Sequence, residues 1–189
     1  MARVALALVM LLALGGPASA RVSEQPLAGH PPVSGTRNAA RMAGISALSN
    51  LEQQLVVAVN HQRVRRGLVP LRISRQLSVA ARGHSLSMAE HGYFAHESYD
   101  GSAFWRRIKP AYRPVQGHYW GAGENLVWSS PDLSAAQAID MWMKSPPHRK
   151  NILTPTWRDI GIGGVHATAA PGVYKGLGVT ILTADFGAR

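Results

Sequence analysis

An α+β fold is predicted by three observations. Apolar residues recur at helical spacing through most of residues 49–109 and again over 130–152. Residues 157–187 lack that period and instead read as strands joined by a turn. There is no cysteine, so the fold must be held by packing rather than by a disulfide frame. Helices mainly first and strands mainly last define the class.

The first twenty residues, "MARVALALVMLLALGGPASA", combine a basic start at Arg3, an apolar run over 4–14 and a small-residue "ASA" ending. This is the pattern of a secretory signal peptide cleaved after Ala20. The apolar run is short for a bilayer span, and a retained anchor is the alternative. No later segment approaches transmembrane length, so the mature chain is expected to be exported without a membrane span. The final compartment (periplasm, wall or medium) stays open. Residues 21–48, rich in Pro, Gly, Ser and Ala, read as a flexible leader. Residues 49–189 are left for one domain, a size that supports a single core.

A first helix is predicted to start at Ser49, where "SNLE" offers a capping box with Glu52. Leu51, Leu55, Ala58, Val59 and Gln62 trace one of its faces, and Gly67 stops it. A second helix runs from an N-cap at Ser74 to Gly92, with Leu77, Ala81, His84 and Met88 pointing inward. A short third helix covers 103–109. The stretch "GHYWGAGENLVW" has no helical period and is extended or loop. In "SPDLSAAQAIDMWMK", Ser130 is the expected cap and Pro131 the first helical residue. Leu133, Ala136, Ile139 or Asp140, and Met143 form its inner side. The tail then supplies strands that turn near "APG", with "VTILTADF" alternating as a buried strand does.

The formal charge is +10, which favours anionic partners such as cell-envelope polymers. Sixteen of the twenty basic residues are arginine, a skew that reflects composition as readily as function. There is no basic run and no nucleic-acid motif, so no nucleic-acid partner is expected. The absence of cysteine excludes a thiol nucleophile, a thiolate metal site and a redox role.

The order of motifs resembles the CAP superfamily (cysteine-rich secretory, antigen-5 and pathogenesis-related proteins), in particular its bacterial SCP-like branch. The matching pieces are "NHQRVRRGLVPLRISRQLSVAARGHSLSM", "YFAH", "GENL", "MWMKSPPHRKNIL", "IGIGGV" and a terminal "DFG". Together they span nearly all of residues 49–187. The resemblance implies a three-layer α-β-α sandwich with a central antiparallel sheet and a groove lined by histidines and acids, able to take a divalent metal such as zinc. By motif it places His96, Glu124 and His148 in that groove and makes them the metal ligands. The second glutamate of the larger animal and plant branch, three residues after the helix tryptophan, is Ser145 here.

Each residue also has a reading of its own. His96 follows two aromatics and is either a core-edge histidine bonded to a carbonyl or a groove member. Glu124, in "GAGENL", is either a turn glutamate or a carboxylate drawn into a pocket between glycines. Asn125 ties backbone together. His148 follows Ser145-Pro146-Pro147 and is expected as the third residue of a helix. Its N–H would meet the Ser145 hydroxyl, and the helix start would keep the ring neutral. His84, on an apolar face, is a satisfied core histidine. His118, six residues before Glu124, is a further groove candidate.

Two histidines and a carboxylate match the ligand set of a catalytic zinc. No "HExxH" pair pre-assembles such a site, and no "GxSxG" elbow marks a serine hydrolase. The favoured expectation is a secreted, non-enzymatic module whose groove takes a lipid, peptide or envelope ligand, small and apolar or peptide-like, with an optional divalent metal. The aromatic neighbours of Glu124, namely Tyr119, Trp120 and Trp128, motivate it. The alternative is a metal-dependent hydrolase or protease acting on extracellular or cell-envelope substrates. Simple electrostatic attachment to anionic envelope polymers is a third possibility.

Overall fold

The computed structural model describes residues 45–47 and 49–189. The signal-peptide reading of 1–20 and most of the leader lie outside the described residues. Within the residues read as leader, β1 (Ile45–Ala47) pairs antiparallel with a strand of the domain.

Helix α1 (Ser49–Val64) starts where expected, and Gly67 follows it with φ 70°. Glu52, however, does not turn back on the helix start. Its Oε1 accepts the Gly164 N–H at 2.8 Å and ties α1 to the sheet. The buried face is Leu55, Val56 and Val59, continued by Arg63, which is fully buried. Its guanidinium donates to the carbonyls of Val69, Ile152 and Thr154 at 3.0, 2.7 and 2.9 Å. A cation inside a core is tolerable because those carbonyls replace its water.

After β2 (Arg72–Ile73) comes α2 (Arg75–His91), bounded as the sequence predicts. The Ser74 hydroxyl accepts the Leu77 N–H, and Gly92 closes the helix in the left-handed region, φ 69°. Leu77, Ala81, His84 and Met88 are all buried. Helix α3 (Phe104–Ala111) follows, then β3 (Gly121–Ser129). Helix α4 (Ala135–Lys144) begins later than expected, because Ser134 and Gln137 form a reciprocal capping box that Ser130 has no partner to make. Its inner face is therefore Ala135, Ala138 and Trp142 rather than the set containing Ala136 and Met143. Helix α5 (Pro146–Ile152), β4 (Asp159–Ala167), a 3-10 turn (Gly172–Tyr174) and β5 (Val179–Ala188) complete the chain.

The sheet order is β1-β4-β5-β3, with β2 joined to β4 in parallel and the other pairings antiparallel. On one face α1, α4 and α5 pack Leu55, Val59, Trp142 and Ile152 against Ile160, Ile162, Leu182, Ala184 and Phe186. On the other, α2 sets Met88 and Ala89 against Val165 and Ile181, while Ile108 of α3 joins Leu77 and Tyr112. This is the α-β-α sandwich, and β3 is its edge strand.

The repeat in "IGIGGV" explains how α2 sits so close. Ile160 and Ile162 face one layer, and the alternate positions, Gly161 and Gly163, face α2. A Cβ at Gly163 would overlap the backbone N of Arg82, and one at Gly161 that of Ser78. Gly163→Ala is therefore expected to cost roughly 3 kcal/mol in urea unfolding. Gly83→Ala, where a Cβ meets nothing within 4 Å, should be neutral or stabilising by up to about 1 kcal/mol.

Candidate functional site

Glu124 and Asn125 are neighbours on the edge strand β3, so their side chains leave on opposite faces of the sheet. Both are buried. On the α2 side, Glu124 Oε1 meets His96 Nδ1 at 2.8 Å, and Oε2 is ion-paired to Nη2 of Arg107 from α3. On the other side, Asn125 Nδ2 donates to the His148 carbonyl at 3.1 Å, and its Oδ1 accepts Asn151 Nδ2 at 3.0 Å. One dipeptide thus fastens the His96 loop and the His148 helix to the same strand.

The loop bearing His96 is held at three carbonyls. Tyr174 donates its hydroxyl to Tyr93 O at 2.8 Å, His84 Nε2 meets Ala95 O at 2.9 Å, and Arg107 Nη1 donates to His96 O at 3.1 Å. A carbonyl only accepts, so His84 carries its proton on Nε2. Burial pushes the His84 pKa down to about 4, partly offset by the nearby Glu124 charge. It is a neutral, satisfied core histidine, as its apolar face predicts, and it also positions the His96 loop.

His148 is the third residue of α5, after Pro146 at the first helical position. The expected bond from the His148 N–H to the Ser145 hydroxyl oxygen is not made. The ring is nevertheless kept neutral, because burial lowers its pKa first and the nearby His96 lowers it further. Two imidazoles within electrostatic reach of one another therefore stand at the edge of β3. His96 is about half exposed, and its Nε2 is left free once Nδ1–H is given to Glu124. His118 lies exposed in a turn closed by its own N–H on Val115 O, and its ring bonds to none of His96, Glu124 and His148.

Two residues at this site were not singled out from the sequence. Arg107 neutralises Glu124 from within "FWRRIK", where nothing distinguishes it from Arg106 beside it. Asp185 pairs with Glu124 across β3–β5 and is fully buried, with neither oxygen hydrogen-bonded. Burial, and then the adjacent Glu124 charge, raise its pKa well above the ordinary carboxylate range. Its charged form is therefore disfavoured beside Glu124. An acid in the otherwise apolar run "VTILTADF" was the signal available for it. A second carboxyl thus reaches the site from β5, although the position three residues after Trp142 holds Ser145.

A divalent metal here would find two imidazole nitrogens but a carboxylate with both oxygens already engaged. Among the described residues no three His, Cys, Asp or Glu side chains are arranged to hold an ion. The donor set as it stands does not fit a three-ligand zinc centre. A cleft of about 230 Å³ opens between α2 and the loop, lined by Gly83, His84, Tyr93, Ser98 and Arg107 among others, but not by His96, Glu124 or His148.

The model of the cysteine-rich secretory protein family, CAP, matches residues 56–181. The chain belongs to the CAP family. It does so without a single cysteine. The uncharacterized protein YkwD of Bacillus subtilis is 32% identical over 146 residues, 77% of this chain and 54% of that protein. The chain therefore spans about half the length of that relative. The crystal structure of an extracellular SCP-domain protein from Bacillus anthracis superposes with a TM-score of 0.58 at 27% identity, covering 75% of this chain and 41% of that one. An outer surface protein of Borrelia burgdorferi shares the CAP fold with a TM-score of 0.62 at 18% identity, over 76% of this chain and 98% of its own. No described helix is long and apolar enough to cross a membrane.

Two outcomes follow from the geometry. Arg107→Gln strands a buried Glu124 charge and should cost about 3–5 kcal/mol in urea unfolding. Glu124→Gln added to it should restore part of that loss, which a double-mutant cycle measures. For His84, the folded pKa is depressed from 6.5 to about 4. Its contribution is present above pH 6.5 and is lost as pH falls toward 4. Wild type should therefore lose about 3 kcal/mol more than His84→Gln between pH 7 and pH 4.

Proposed function

We propose that this CAP-family chain is an exported, non-enzymatic binding module that holds a peptide-like envelope ligand at the His96–His148 edge of the sheet. The observation that supports it is the state of Glu124. With one oxygen on His96 and the other on Arg107, it is a fixed structural anion, neither a free base nor an open metal ligand. What the site offers outward is hydrogen bonding from two imidazoles, that of His96 oriented from behind by Glu124. The cleft beside Arg107, which also donates to the His96 carbonyl, has about 230 Å³, below the ~300–1,000 Å³ of drug-sized pockets. It takes a side chain or a short peptide end rather than an acyl chain. Export is supported by the N-terminal pattern and by the relative described as extracellular.

The second reading, a metal-dependent hydrolase, is favoured by one feature. A carboxylate behind His96 Nδ1 is the arrangement that orients a metal-ligating histidine. Titrations with short envelope peptides, phosphatidylglycerol vesicles and zinc separate the two. We expect saturable peptide binding, weakened about tenfold in His96→Ala and in His148→Ala, one hydrogen bond each. Stoichiometric zinc binding that both substitutions abolish, together with peptide hydrolysis, would replace the binding module with the hydrolase.

A further inference from the structure

Helix α3 has two working faces. At ~100° per residue, Phe104, Arg107 and Ile108 share the inner arc, where Arg107 meets Glu124 and Ile108 is fully buried. Trp105, Arg106, Lys109 and Pro110 share the outer arc, and all four are exposed. Beyond the helix end, Arg113 and Pro114 continue the same surface, and the six residues line an open groove of about 630 Å³. No residue of the His96 site lines it.

The groove is cationic and aromatic together. The Arg106 guanidinium lies 5.5 Å from the Trp105 ring centroid, and Lys109 Nζ lies 6.0 Å from that of Trp120. Arg189 adds a further cation, stacked 4.1 Å from the Tyr112 ring and donating to Arg113 O at 3.1 Å. Among the described residues, Arg106, Lys109 and Arg113 form no ion pair with an acid. Asp100 lies near enough to feel Arg106, but its hydrogen bond goes to the Ser102 N–H. The cations are therefore uncompensated, although the chain has acids elsewhere.

We infer that the outer face of α3 is a docking groove for an acidic polysaccharide, one whose sugar rings carry carboxylates. Arg106 and Lys109 stand three residues apart on the same face of α3, about 5–6 Å between Cβ atoms, a spacing comparable to one sugar-ring repeat. Each can meet the carboxylate of a successive ring, the guanidinium with two parallel N–H donors. Trp105 and Pro110 flank those two cations along the helix and Pro114 lies beyond its end, giving flat faces on which the C–H face of a pyranose stacks. A membrane would ask for a continuous apolar edge, and here Arg106, Lys109 and Arg113 interrupt the rings. A nucleic acid would ask for cations strung along a backbone, and these are gathered within two turns. The groove uses none of the His96, Glu124 and His148 side chains and is independent of the function proposed for them.

The test is calorimetric titration of the full folded chain with a hexagalacturonate at low salt. Maltohexaose serves as the neutral control and polyglutamate as the control for charge without rings. Oligothymidine and phosphatidylglycerol vesicles represent the competing partners. The expected result is saturable hexagalacturonate binding, at least fivefold tighter than any of these. Arg106→Glu combined with Lys109→Glu should weaken it at least tenfold, and Trp105→Ala at least threefold. Because the altered side chains are exposed, thermal melts should stay within a few degrees of wild type; Arg106→Ala with Lys109→Ala replaces any variant that fails this check. Trp105→Ala should leave the peptide titration of the His96 site unchanged, so the two readings fail separately. Absent or weaker hexagalacturonate binding overturns the inference, as does equal or tighter binding of polyglutamate, oligothymidine or vesicles. So does binding that the folded variants leave at the wild-type level.

Discussion

The two-residue alternation of a β-strand is the constraint on which this site depends. Glu124 and Asn125 are adjacent in sequence, yet the pleat sends one to each face of an edge strand. Each then captures an element from its own layer of the sandwich, the His96 loop on one side and α5 on the other. A shift of register by one residue would exchange the two faces and dissolve both attachments. Nine residue pairs between β3 and β5 hold that register, so the site inherits the rigidity of the sheet.

Around that strand the protein keeps an unusual amount of polarity in its interior. Glu124 and Asp185 lie side by side, and burial together with the Glu124 charge disfavours ionisation of Asp185. Arg107 closes the balance on Glu124 from α3. Coulomb attraction at low local dielectric makes this arrangement demanding, since removing any partner leaves another exposed to the full cost of burial. Arg63 solves the same difficulty differently, by wrapping its guanidinium in backbone carbonyls that would otherwise end α5 unpaired. Both arrangements cross between layers, so the layers are positioned by directional bonds as well as by apolar packing.

The same geometry separates recognition from chemistry. A carboxylate that meets an imidazole and a guanidinium at once has no lone pair well placed to take a proton from substrate. Its effect is to set the tautomer of His96 and aim the ring outward. On the far side of the same short helix, the cations of α3 have no acid to meet and turn to solvent. One helix therefore serves a closed electrostatic network with its inner arc and presents open charge with its outer one.

The local rules were legible in the residues themselves. The span of α2 follows from Ser74, Gly92 and the spacing of Leu77, Ala81, His84 and Met88, because caps and helical period act over a few residues. The class and layering, and the nearness of His96 to Glu124, were carried by motifs whose order is specific. At the start of α4, Ser130 and Ser134 compete as caps, and the reciprocal bond with Gln137 decides for the second. What sequence could not decide were long-range pairings. Glu52 left its own helix for Gly164, Arg63 turned into the core, and Arg107 rather than Arg106 met Glu124. Which charge is buried depends on which partner the other layers bring, and that is known only once distant segments have packed.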